Sequence, residues 1–176
     1  MAQREALSDI FRYTLGHRWT LKTNWLSELR AGKWYGVEVN SSGHVIYINL
    51  SDNNLVGSLD HNESVISRLI YLERLHLMSN SLSGPIPSAF CSFTSLKELN
   101  LSWNLFSGQH MEKIDYGSYL YLHLKGAIPD YLYELTSLTV INLAHNKLNG
   151  IVFEKLKNLT VLKYLDVCSN QLNGKY

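Results

Sequence analysis

The chain has 176 residues, 45% of them apolar, and a formal net charge of +1. That length suits one domain with a continuous core. So small a net charge supplies no field to gather nucleic acid or an anionic membrane, and no apolar run approaches the ~18 residues of a membrane span.

Residues 4–15 place Leu7, Ile10, Phe11 and Leu15 at three- and four-residue steps, which predicts an amphipathic helix stopped by Gly16. No apolar leader stretch precedes it, so the expectation is an intracellular chain or a leader missing from this one. Trp19, Trp25 and Trp34 follow, three of the four tryptophans. They read either as a ligand platform or as a lid over the core of the first repeat. Terminal units of a stacked array need covering, which favours the lid. Val37 to Val39 and residues 44–48 predict a hairpin around the turn-forming Asn40, Ser41, Ser42 and Gly43.

From Val45 onward one frame recurs. Its clearest copy is Leu72-x-x-Leu75-x-Leu77-x-x-Asn80-x-Leu82-x-Gly84-x-Ile86-Pro87. Leu75 and Leu77 are two apart, so on a strand they share one face while His76 points to the other. Asn80 sits where the chain leaves the strand, and its amide offers an acceptor and two donors to neighbouring backbone. Equivalent asparagines are Asn53, Asn104, Asn146 and Asn170, giving successive intervals of 27, 24, 42 and 24 residues. The period is therefore 24, with three extra residues placed within 60–64 and one irregular interval. In that interval Leu120, Leu122 and Leu124 alternate with Tyr119, Tyr121 and His123, a strand pattern with no asparagine after it. The expectation is an irregular fourth repeat among about six. The asparagine series would break there, leaving a backbone group unpartnered at ~1–3 kcal/mol if buried. Residues 109–121 read either as a tyrosine-rich interaction loop or as a damaged repeat tolerated by its neighbours.

These units resemble leucine-rich repeats, and the ending Leu82-Ser83-Gly84-Pro85-Ile86-Pro87 is similar to the plant-type class. That class is found in receptor-like kinase ectodomains and polygalacturonase-inhibiting proteins. The resemblance implies an α/β solenoid: a right-handed superhelix with a concave parallel β-sheet, an N-terminal helical cap and a role in binding other molecules. It divides the chain into a capping region, 1–44, and repeats, 45–176. Trp34-Tyr35-Gly36-Val37 is similar to the segment leading into such arrays. No C-terminal cap follows Asn173-Gly174, which implies a fragment of a longer protein or an edge covered by a partner. The cysteine pair usual in the cap of this class is missing, and Cys91 and Cys168 fall on opposite sides of the coil, too far apart to bridge. Five Asn-x-Ser/Thr sequons occur, at Asn40, Asn49, Asn62, Asn100 and Asn158. The resemblance thus points to the cell surface or a secreted protein, the absent leader to the cytoplasm.

No hydrolase, nucleotide-binding, zinc-protease or paired-cysteine signature is present, and the seven histidines are scattered. The chain reads as a non-enzyme with no cofactor and no metal. Binding is then expected on the outward strand residues, which the frame arranges in columns. One column is Tyr47, Arg74, Glu98, Val140 and Tyr164. The next is Asn49, His76, Asn100, Asn142 and Asp166. A third is Ser51, Met78, Ser102, Ala144 and Cys168, flanked by Asp52, Ser79, Trp103, His145 and Ser169. Arg74, His76, Met78, Glu98 and Trp103 form the least generic group, with Tyr164 and Asp166 beyond it. Trp and Arg are favoured interface anchors. The partner expected is a protein or peptide; the rival readings are an inhibitor of a secreted carbohydrate-active enzyme and the sensing part of a receptor kinase.

Overall fold

A computed structural model describes residues 2–60, 63–107, 111–114, 118–121, 128–151 and 156–173. The apolar steps at its start form helix α1 (Ala2–Tyr13), which buries Ala6, Leu7 and Ile10. The helix ends differently from the expectation: Leu15, not Gly16, takes the left-handed conformation, at φ 52°. Gly16 is needed for another reason, because a Cβ there would overlap the ring of Phe11. Phe11 continues into a chain of aromatic contacts with Trp19, Trp25 and Trp34, at centroid distances of 5.0 Å to Trp19 and 5.9 Å to Trp25. Trp19 lies 4.8 Å from Trp25, and Trp25 5.1 Å from Trp34. All three indoles are buried and continuous with the main core, so they serve as packing and present no platform.

β1 (Val37–Val39) and β2 (Val45–Asn49) form the antiparallel hairpin. Asn40 closes its turn by accepting the Ser42 and His44 backbone N–H groups, each at 3.0 Å. Each later turn of the coil adds a strand pair. β3 (Val56–Gly57) completes the first, and β4 (Arg74–His76) with β5 (Ser81–Gly84) makes the second. β6 (Glu98–Asn100) and β7 (Leu105–Phe106) make the third. Between the third and the next come β8 (Met111–Ile114) and β9 (Ser118–Tyr121). β10 (Val140–Asn142), β11 (Asn149–Ile151), β12 (Tyr164–Asp166) and β13 (Gln171–Asn173) finish the series.

The main sheet runs β1-β2-β4-β6-β10-β12, parallel from β2 onward, and the smaller strands stack as β3-β5-β7 and β11-β13. Ile48, Leu75, Leu99 and Ile141 line up in register and point inward, all buried. The returning side is made of short helices: α2 (Glu63–Ile66) and 3₁₀ turns at Ser88–Ser92, Asp130–Glu134 and Leu156–Asn158, stacked in that order. Pro87 and Pro129 introduce two of these turns in extended conformation, as their fixed φ requires. The three-residue insertion runs into α2, with 61 and 62 outside the described residues. Burial of Tyr133 in the Asp130–Glu134 turn pushes its phenol up to about 12, and the Asp130 charge adds to the shift.

The irregular interval behaves differently from the expectation. β8 and β9 pair with each other, antiparallel, in a sheet of their own, while β6 pairs directly with β10. No rung stands between them. Leu122 and Leu124, part of the expected strand, lie outside the described residues, as do Gln109 and His110 of the expected loop. Nor is the asparagine series broken: the Asn146 amide donates to Leu101 O at 2.9 Å, and its oxygen accepts from Phe106 N at 2.9 Å. The reason is visible in the frame. Gly108 and Gly126 occupy the same repeat position 18 residues apart, so the excess is one excursion from a single repeat. Deleting residues 109–126 restores the 24-residue interval. Loop shortening of this order is worth only ~0.5 kcal/mol. A urea midpoint within that margin of the intact chain is expected; a loss above ~2 kcal/mol means the excursion holds the coil together.

Candidate functional site

Each of the five parallel strands of the main sheet leaves for its turn through one residue in the left-handed region. These are Asp52, Ser79, Trp103, His145 and Ser169, with φ between 52° and 55°. The next residue is always the turn asparagine. Its NH₂ group donates to the carbonyl of the preceding rung and to carbonyls of its own turn, and its oxygen accepts an N–H of the preceding rung. Asn104, for example, donates to Leu77 O, Leu101 O and Ser102 O at 2.9, 3.1 and 3.1 Å and accepts Leu82 N at 3.0 Å. Asn80 and Asn170 do the same toward Leu50 O and Leu143 O. Asn53 differs, exchanging both bonds with the Leu21 backbone at 2.6 and 2.8 Å. These bonds offset the strain of the left-handed residues and fix the rungs in register, so the outward side chains stand in straight columns.

Register pairs Tyr47 with Arg74, Arg74 with Glu98, Glu98 with Val140 and Val140 with Tyr164; Asn49, His76, Asn100, Asn142 and Asp166 are matched likewise. On the first four strands a continuous polar chain crosses the face. Glu38 accepts from the Arg74 guanidinium at 3.2 Å, which lies 4.0 Å over the ring of Tyr47. The Tyr47 hydroxyl meets His76 Nδ1 at 3.1 Å, and His76 Nε2 meets Glu98 at 3.1 Å. Met78 lies to one side, its sulfur 3.8 Å from the Asn100 amide nitrogen.

Trp103 stands apart from this chain. It is 56% exposed and stacks on His145, with centroids 3.7 Å apart and planes 17° from parallel. At the far end Asp166 accepts the Cys168 backbone N–H at 3.1 Å, which holds its carboxyl below the usual range. The Asp166 charge in turn pushes the Tyr164 phenol up, and its side-chain hydrogen bond raises the Cys168 thiol. The face therefore reads, strand by strand, as a hydrogen-bonded polar network, an exposed aromatic pair and an anionic end.

Of the residues proposed from sequence, Arg74, His76 and Glu98 are joined, Met78 is adjacent through Asn100, and Trp103 belongs to a different cluster. Tyr164 and Asp166 share a third, through a hydroxyl-to-carboxylate bond of 3.3 Å. Tyr47, Glu38 and His145 are as central as these but were not singled out. Glu38 precedes the repeat frame and so has no column; Tyr47 and His145 could have been found by giving aromatic residues in each column the weight given to Trp103. Among the described residues no group of three His, Cys, Asp or Glu side chains is placed to hold a metal, and no helix is long and apolar enough to cross a membrane. Both cysteines are free and exposed.

A family model for the Leucine Rich Repeat matches residues 71–93, 95–115 and 137–159. Receptor-like protein 35 of Arabidopsis thaliana is 34% identical over 146 residues, 76% of this chain and 15% of that protein. Receptor-like protein kinase HAIKU2 of the same plant is 31% identical over 164 residues, 86% of this chain and 16% of that one. The chain thus spans about a sixth of the length of these curated relatives. Among solved structures, the ectodomain of the Arabidopsis receptor kinase SOBIR1 superposes with a TM-score of 0.72 at 26% identity, over 99% of this chain and 83% of that one.

Proposed function

Because the chain is a leucine-rich-repeat protein of the plant type, we propose that it is the non-catalytic recognition segment of a receptor-like protein, binding a protein or peptide across its main sheet. In this reading the sheet is the concave side of a right-handed superhelix, residues 1–44 cap its first turn, and residues 45–176 are the repeats. The observation that carries it is the exposed Trp103–His145 stack, set between a hydrogen-bonded polar network and an anionic end. Large aromatic area held rigid by its own backbone costs little conformational entropy on binding. A peptide with an apolar anchor for the stack and a basic residue for Asp166 matches the face. Arg74, His76, Met78 and Glu98 would give specificity, since their groups are already paired and a wrong ligand leaves them unpaired. The receptor-like relatives support the same role, and the kinase among them supports a place in a longer signalling receptor.

The test uses a peptide selected against the whole chain from a random display library. Its affinity is expected to fall at least tenfold in Trp103→Ala and by less in Arg74→Ala, with the urea midpoint of each variant changed by ~1 kcal/mol or less. A selected peptide that binds both variants as it binds the parent chain removes the main sheet as the site. Inhibition of a secreted carbohydrate-active enzyme by the chain would favour the inhibitor reading instead.

A further inference from the structure

A second concave site lies away from the sheet-face residues. It is a cleft of about 760 Å³ between the start of α1, the loop carrying Glu28 and Arg30, the hairpin turn at 40–43, and Arg68 with Tyr71. That volume is within the ~300–1,000 Å³ of small-ligand sites. Its charged lining is Arg4, Arg30 and Arg68 against Glu28. Arg68 is paired with Glu5, and Arg4 spends one donor on Ser27 O at 2.5 Å while lying 5.3 Å over Trp34. The Arg30 guanidinium makes no hydrogen bond or ion pair among the described residues. Beside these, His44 and Tyr71 stack at 3.9 Å, 8° from parallel, with Tyr71 42% exposed. Asn40, Ser41 and Ser42 of the hairpin turn also line the cleft.

We propose that this cleft binds an acidic saccharide. A carboxylate suits the planar fork of Arg30, and the remaining donors of Arg4 line the same cleft. The flat ring pair suits the apolar face of a sugar, and the serine hydroxyls suit its hydroxyl groups. A phosphate ligand is less well served. Three consecutive backbone N–H groups of the turn, which would cradle it, are already taken: Ser42 and His44 donate to Asn40 Oδ1, and Gly43 to Asn40 O.

Calorimetric titration of the whole chain with a galacturonate oligomer is the test, with a neutral glucose oligomer of equal length and inorganic phosphate as the other arms. Saturable binding of the uronate oligomer that weakens as salt is raised is expected, with no saturable binding in the other two arms. Arg30→Glu should lower its affinity at least tenfold and leave the circular dichroism unchanged, because Arg30 is exposed and its side chain bonds to none of the described residues. Tyr71→Ala should lower it several-fold. The proposal is overturned by absence of saturable binding, by equal binding of the neutral oligomer or of phosphate, or by an Arg30→Glu chain that binds like the parent. Loss of peptide binding through Trp103→Ala bears on the sheet alone, so the two readings fail separately.

Discussion

Replacing Asn104 with alanine should lower stability by about 3–5 kcal/mol, since Leu82 N loses its acceptor and Leu77 O and Leu101 O lose a donor in a buried turn, at ~1–3 kcal/mol for each group left unsatisfied. Against a total of ~5–15 kcal/mol for an ordinary domain this is a large share. Asn104→Asp should be worse at neutral pH, because it keeps the shape but turns a carboxylate toward three carbonyl oxygens. Asn170→Ala should cost ~1–2 kcal/mol, its turn being half-exposed and open to water. Urea midpoints with an unchanged m-value give the ranking. A loss below ~1 kcal/mol in Asn104→Ala would mean that the asparagine bonds merely accompany the packing.

The second large effect is expected at Gly57, where helix α1 is tied to the coil. Val56 N and the Trp19 indole N–H both donate to Thr14 O, at 3.2 and 3.0 Å, so the end of the helix lies against β3. At Gly57 the φ is 130°, a conformation available almost to glycine alone, and an added Cβ would overlap the Tyr13 carbonyl oxygen. Gly57→Ala should therefore cost roughly 2–4 kcal/mol and release α1 first. Amide exchange in residues 2–13 would rise ahead of exchange in β4 and β6. Gly43→Ala is the control: φ is 80° there too, but a Cβ meets nothing within 4 Å, so ~1 kcal/mol is expected. Equal losses at the two glycines would show that α1 does not depend on this contact.

Much of this architecture is legible in the residues themselves. A 24-residue spacing of asparagines, with leucines two apart before each, is enough to align Arg74 with Glu98 and His76 with Asn100 before any coordinates are seen. A first helix, read at 4–15 and found at 2–13, and the hairpin read at 37–48 follow from local rules as well. What misleads is the stretch containing Leu120. Period-two alternation is common to a rung strand and to a hairpin strand, because both are extended, and the pattern says nothing about which neighbour a strand pairs with. The better signal was the repeated Gly108 and Gly126, which marks an addition within one repeat. That distinction decides the site: an extra rung would have stood between Trp103 and His145, and their 3.7 Å stack exists because the excursion leaves β6 beside β10. The link from Glu38 to Arg74 was hidden for another reason, since an antiparallel strand outside the frame supplies it.

The turn bonds also give the coil a direction. From Asn80 onward, each asparagine satisfies a carbonyl and an N–H belonging to the rung before it: Leu50 and Leu55, Leu77 and Leu82, Leu101 and Phe106, Leu143 and Leu148. None of these rungs can finish its own corner. In a chain emerging from a ribosome, each rung is therefore expected to complete its corner bonds only once the next rung has been made.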